Sequence, residues 1–166
     1  LAFIMSILLA VIVIVSFFYQ FVHSPFLTSG TLLVNRGSHL RSVASELEQQ
    51  GFIRHGELFE MLVRLKGQAG RLQAGEYAVK PKMTPNDLLA HIIEGNVVTH
   101  TVTLIDGWTF RQFRQHLREA KGLVHELTGL PIATIMTRLG SNHKHIEGLL
   151  YPDTYRYHWG DTDWSI

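Results

Sequence analysis

The sequence predicts an α+β body behind a single N-terminal transmembrane helix. Three observations predict it: an unbroken apolar run from Leu1 to Val22, a strand-turn-cap-helix pattern that recurs three times, and an aromatic, carboxylate-bearing segment near the end of the chain. The apolar run uses part of the 166 residues and leaves roughly 140 for water-soluble structure, enough for one or two small domains. With 15 basic and 14 acidic residues the net charge is +1, so no field favours nucleic acid, and none is expected as a partner. There is no cysteine, which excludes disulfides and thiolate metal sites.

Between Leu1 and Val22 the clearly polar residues are Ser6, Ser16 and Gln20. At about 1.5 Å per residue such a run crosses a hydrocarbon core of roughly 30 Å. A cleaved signal peptide would have a shorter apolar region ending in small residues, whereas this run ends Ser16-Phe17-Phe18-Tyr19-Gln20-Phe21. Residues 1–22 are therefore read as a membrane anchor, with Tyr19 and the neighbouring Phe residues in its aromatic belt. Orientation cannot be read from charge, because the first basic residue after the run is Arg36. Residues 23–30, with Ser24-Pro25 and Thr28-Ser29-Gly30, read as a linker.

The first strand-helix unit runs Thr31-Leu32-Leu33-Val34, turn Asn35-Arg36-Gly37, cap Ser38, then a helix with Leu40, Val43, Ala44 and Leu47 on one face, stopping at Gly51. A second helix, 56–66, carries Leu58, Phe59, Leu62 and Leu65. The next unit has strand 76–79, turn Lys80-Pro81-Lys82, cap Thr84 with Pro85 at the first helical position and Asp87 completing a capping box. Leu88, Leu89 and Ile92 form its apolar face and Gly95 its stop. The third has strand 101–105, turn Asp106-Gly107-Trp108, cap Thr109 with Gln112, and Phe110, Phe113 and Leu117 before Gly122. No unit buries its stripe alone, so the three are expected to pack on one another. A helix or helix pair broken at Leu130-Pro131 is expected over 123–139, with Leu127, Ile132, Ile135, Met136 and Leu139 as core positions.

The chemistry is concentrated in Ile146-Glu147-Gly148-Leu149-Leu150-Tyr151-Pro152-Asp153-Thr154-Tyr155. Glu147 precedes the pair Leu149-Leu150, and a carboxyl walled by apolar groups is raised towards neutrality, as a general acid requires. Asp153 is either a second carboxylate of a glycosidase pair or the cap of its own Pro-Asp turn. Tyr155, Tyr157 and Trp159 alternate, which on a strand puts three rings on one face, to stack on sugars or to line a half-buried inner surface. A rival use is zinc: His143, His145 and Glu147 at spacing i, i+2, i+4 would point the same way on an extended strand, although this is not a usual metalloprotease spacing. The remaining histidines of the ten, such as His39, His91, His116 and His125, fall in helical stretches and read as solvated surface.

These pieces resemble known families. The strand-helix-helix-strand order of residues 31–80, within a subdomain expected over 31–100, is similar to the LysM fold, a small glycan-binding module. An anchor followed by that unit, by LQAGEYAV, by LIDGWTFRQF and by IEGLLYPDTY resembles the endolytic murein transglycosylases of the MltG/YceG type, and the last motif is the most specific. The resemblance implies cleavage of the β-1,4 bond between N-acetylmuramic acid and N-acetylglucosamine in nascent peptidoglycan, leaving a 1,6-anhydro end. It implies Glu147 as the catalytic acid and base, with Tyr151, Asp153, Thr154 and Tyr155 as substrate contacts and with no metal or cofactor. It also implies a single-pass inner-membrane protein whose bulk faces the periplasm, with glycan strands, the membrane and the peptidoglycan synthesis machinery as partners. A non-catalytic, membrane-anchored peptidoglycan-binding scaffold is the alternative. The family commonly has Glu where this chain has the smaller Asp106. Its chains continue well past the catalytic motif, so residues 101–166 are expected to be the first part of a catalytic domain in a longer enzyme, and inactive alone.

Overall fold

The computed structural model describes residues 2–141 and 145–166. The chain divides into two compact units, Leu1–Val97 and Val98–Ile166. Both mix helices with a two-stranded antiparallel sheet, giving the α+β class.

The first unit contains α1 (Ala2–His23), β1 (Gly30–Val34), α2 (Leu40–Gln49), α3 (Gly56–Leu65), β2 (Gly75–Val79) and α4 (Pro85–Glu94). α1 is long and apolar enough to cross a membrane, and its upper turns are exposed on all sides. β1 and β2 pair with Leu32 opposite Tyr77 and Val34 opposite Gly75. Alternation sends Leu32, Val34, Tyr77 and Val79 to one face. Phe59, Leu62 and Val63 of α3, Val43, Ala44 and Leu47 of α2, and Leu88, Leu89 and Ile92 of α4 cover that face. The Tyr77 ring is fully buried and its hydroxyl donates to the carbonyls of Gln73 (2.9 Å) and Ile92 (3.3 Å), so burial does not strand a polar group.

The capping box of α4 forms as its sequence predicts. Thr84 Oγ1 accepts from the Asp87 N–H at 3.2 Å, the Asp87 carboxylate accepts from the Thr84 N–H at 2.9 Å, and Gly95 closes the helix at φ +71°. The Ser38 cap does not form. Its N–H donates to the Asn35 carbonyl at 3.0 Å in the preceding turn, and α2 begins one residue later than expected, with extended His39 at the N-cap and no side-chain bond there. The 23–30 segment is tied down at Phe26, which is buried; its N–H donates to the Met83 carbonyl at 2.7 Å and its carbonyl accepts from Lys82 at 3.1 Å.

The second unit contains β3 (Thr99–Thr103), α5 (Phe110–Glu119), α6 (Ile132–Arg138) and β4 (Thr154–His158). β3 pairs with β4, Thr99 opposite His158 and Thr103 opposite Thr154. The third strand-helix unit thus finds its strand partner at the end of the chain. β3 also lies two residues earlier than its sequence suggests. The Leu104 N–H still reaches the Asp153 carbonyl at 2.9 Å, and then the chain turns.

α5 has the predicted box between Thr109 and Gln112 but ends at Glu119, because Ala120 is extended. At Gly122 (φ +79°) a Cβ would stand 2.5 Å from the Trp159 ring, so both the turn and the close ring approach require glycine. Residues 123–130 are not helical. Their backbone groups bond across the unit instead: Val124 N–H to the Asp161 carbonyl (2.7 Å), and Glu126 and Leu127 N–H to the Asp163 carboxylate (3.0 and 3.1 Å). The break at Pro131 holds, with Pro131 as N-cap of α6. Ile135, Met136 and Leu127 enter the core, while Ile132 and Leu139 are exposed. The short α6 has room to bury only one edge.

Candidate functional site

Glu147 sits in a turn closed by the Leu149 N–H donating to the Ile146 carbonyl at 3.2 Å, with Gly148 at φ +85°. Ile146 is buried in the second unit's core and fixes the turn, so the next side chain points out. Glu147 is exposed and Leu149 and Leu150 are half-buried, which corrects the expected apolar wall around the carboxyl. Its anchor is polar: Oε2 accepts a 3.0 Å hydrogen bond from the Phe110 N–H. Phe110 is the first residue of α5, whose leading N–H groups have no intrahelical acceptor, so a carboxylate there meets both a free donor and the positive end of the helix dipole.

The same two segments meet again at their other ends. Asp153 receives the Leu104 N–H on its carbonyl, and its carboxylate accepts from the adjacent Thr154 N–H at 2.6 Å. Residues 104–110 are thus held to 147–153 by one bond at each end. Within that loop Asp106 Oδ1 accepts from the Gly107 N–H at 2.9 Å, and Trp108 packs edge-on to His116 with ring centroids 5.2 Å apart.

Of the expected substrate contacts, Tyr151 is 79 % exposed, and Asp153 and Thr154 are also exposed. Thr154 Oγ1 lies 3.0 Å from Thr103 Oγ1 across the strand pair. Tyr155 is half-buried, packed on the core, with its hydroxyl donating to the Tyr151 carbonyl at 2.8 Å. Tyr157 is buried and donates to the Lys121 carbonyl at 3.0 Å. Trp159 lies past the end of β4. The alternating rings therefore form an inner face and not an open row.

For the zinc alternative, His143 lies outside the described residues, and His145 and Glu147 are both exposed. Among the described residues no group of three or more His, Cys, Asp or Glu side chains is arranged to hold a metal ion. His39 is an N-cap and His125 is in the irregular 123–130 segment, so neither is inside a helix.

The Phe110 N–H that holds Glu147 is not visible from side chains alone. The signal was present: a capping box at Thr109 and Gln112 fixes where the helix starts and hence which N–H groups are open to an acceptor. Asp163 was missed as well. It is buried at 5 % exposure, and its carboxylate binds the backbone of the 123–130 segment.

The profile of the YceG-like family matches residues 32–166. Endolytic murein transglycosylases from two strains of Streptococcus pneumoniae are each 28 % identical over 98 residues, 55 % of this chain and 18 % of theirs. The chain thus spans less than a fifth of the length of these curated relatives. A crystal structure of a yceG-like protein from Listeria monocytogenes is similar at 19 % identity and a TM-score of 0.47, covering 79 % of this chain and 48 % of that one.

Proposed function

This chain belongs to the YceG-like family, and from that premise we propose that it acts in endolytic, lytic cleavage of peptidoglycan with Glu147 as the catalytic residue. The observation that supports this reading best is the convergence of the 104–110 and 147–153 segments, with the Glu147 carboxylate held on the Phe110 N–H. That bond engages Oε2; among the described residues none engages Oε1, which is left to exchange a proton with substrate.

Glu147, protonated, gives its proton to the glycosidic oxygen as the bond from C1 of N-acetylmuramic acid to O4 of N-acetylglucosamine breaks. The carboxylate then takes the proton of the muramyl 6-hydroxyl, whose oxygen bonds to C1 and closes the 1,6-anhydro ring. No water is consumed and Glu147 ends protonated as it began, so one carboxyl suffices. Exposed Tyr151, Asp153 and Thr154 flank the glycan, and Tyr155 supports Tyr151 through its carbonyl. Residues 31–100 serve as a LysM-like glycan-holding subdomain and 101–166 belong to the catalytic domain. α1 anchors the protein in the inner membrane with the body in the periplasm, where new strands leave the synthesis machinery.

The test is Glu147→Gln in the full-length protein. The amide oxygen of Gln can still accept from Phe110, so folding is retained. Release of anhydro-muropeptides should fall by about 10²–10⁴-fold, the range of general acid-base contributions. Release at the parental rate would sink the assignment. A parent protein that binds sacculi without cutting them would establish the scaffold instead.

A further inference from the structure

We propose that the outward face of α3, carrying Leu58, Met61 and Leu65, lies in the headgroup layer of the bilayer that α1 enters, so that the first unit is seated on the lipid surface. The proposal rests on reading α1 as a membrane span.

The span and the body are joined without a hinge. The last turns of α1 pack on α3 and α4: Phe18 and Phe21 lie against the core of the unit and Val22 is buried in it. Immediately afterwards Phe26 is pinned by its bonds to Met83 and Lys82. The level at which α3 begins is set by Phe17, whose ring centroid is 6.4 Å from that of His55, the N-cap of α3. Phe17 precedes the end of α1 by six residues, about 9 Å along the axis at 1.5 Å per residue. α3 therefore begins level with the exposed rings Phe17 and Tyr19, the aromatic belt of the span, and not above the end of the helix.

α3 has two apolar faces. Phe59, Leu62 and Val63 supply the core; Leu58, Met61 and Leu65, at spacing i, i+3, i+7, form a second stripe. Met61 is 50 % and Leu65 71 % exposed. The polar residues beside the stripe are mixed in sign, Arg54, Arg64 and Lys66 with Glu57 and Glu60, so burial of apolar surface and not charge drives the contact. Lipid is the occupant we assign because α3 packs on the last turns of α1 and starts level with its exposed aromatic rings. Leu27, four residues past α1, is 91 % exposed at the same exit.

The chain has no cysteine, so single cysteines bearing a nitroxide can replace Met61, Leu65, Gln49 or Val13 in the full chain, reconstituted in phosphatidylcholine vesicles. Spin-label saturation with oxygen and with a water-soluble nickel chelate then reads immersion at each site. Labels at Met61 and Leu65 should show several-fold lower nickel access than the label at exposed Gln49 of α2, with oxygen access raised. If either is as open to nickel as Gln49 while Val13 stays shielded, the seating is wrong and the span stands. If Val13 is open to nickel too, both the seating and the span are wrong.

Discussion

Asp163 makes the second unit's sharpest stability test. Asp163→Ala removes the acceptor of two backbone donors, Glu126 N–H at 3.0 Å and Leu127 N–H at 3.1 Å from Oδ1, the latter also 3.1 Å from Oδ2. Hydrogen bonds to a charged acceptor contribute about 1.5–3 kcal/mol each, and a buried donor left unpaired costs its own desolvation. The Leu127 bond is buried and takes the full cost; Glu126 is only partly covered and recovers part of it from water. The sum is roughly 3–4 kcal/mol. A unit of about 70 residues has a total stability of roughly 4–10 kcal/mol, so the loss is a large share. At about 4–8 °C per kcal/mol for a unit this small, its midpoint should fall by more than about 10 °C. Trp108, Trp159 and Trp164 are the chain's three tryptophans and all lie in residues 98–166, so thermal unfolding followed by tryptophan emission reports this unit within the intact protein. Asp163→Asn, which keeps one acceptor oxygen, should fall between parent and Ala. A loss below about 1 kcal/mol in Asp163→Ala would refute the claim that this carboxylate holds the 123–130 segment.

Two further predictions concern pH and the first unit. Hydrogen bonds from the Thr84 backbone and side chain hold the Asp87 carboxyl below its usual 3.8, so the folded state favours the ionised form. Its contribution to stability is present above the unfolded value and lost as pH falls through the folded one; Thr84→Ala, which keeps the backbone donor and removes the hydroxyl, should cost about 1 kcal/mol at neutral pH and shrink that acid limb only in part in urea unfolding monitored by circular dichroism. Burial raises the Tyr77 hydroxyl above 10.0, so the reverse sign applies: its contribution is complete below that value and is lost as pH rises through the folded one. Tyr77→Phe should remove this alkaline dependence and cost about 1 kcal/mol below it, since the Gln73 and Ile92 carbonyls lose one donor.

Local signals were legible where one short stretch decides the outcome. Thr84-Pro85 with Asp87, and Thr109 with Gln112, each contain donor, acceptor and spacing within four residues, and both boxes form. Ser38 lacks that reciprocal partner, since Arg41 stands three residues on, and its N–H closes the Asn35 turn instead. The 123–130 segment was illegible for a different reason. Its apolar spacing fits a helix, but a buried carboxylate some 36 residues away supplies acceptors that compete with the helical ladder. The partner of β3 is more distant still, at Thr154–His158, so the repeating strand-helix pattern pointed to the elements but not to which strands would pair.

The site combines both kinds of signal. Glu147 stands out by its neighbours Gly148, Leu149 and Leu150, but those neighbours suggested an apolar wall, and the fold gives the carboxylate a helix N-terminus. The difference changes what the surrounding residues must do. In the proposed reaction an acid exposed in this way is shielded from water by the bound glycan. Loop 104–110 then becomes a positioning element, because a shift at either of its two ties, Leu104 to Asp153 or Phe110 to Glu147, moves the carboxylate relative to Tyr151 and Asp153. Under the proposed reaction, side chains in that loop, Asp106 and Trp108 among them, act through the backbone they hold and need touch no sugar.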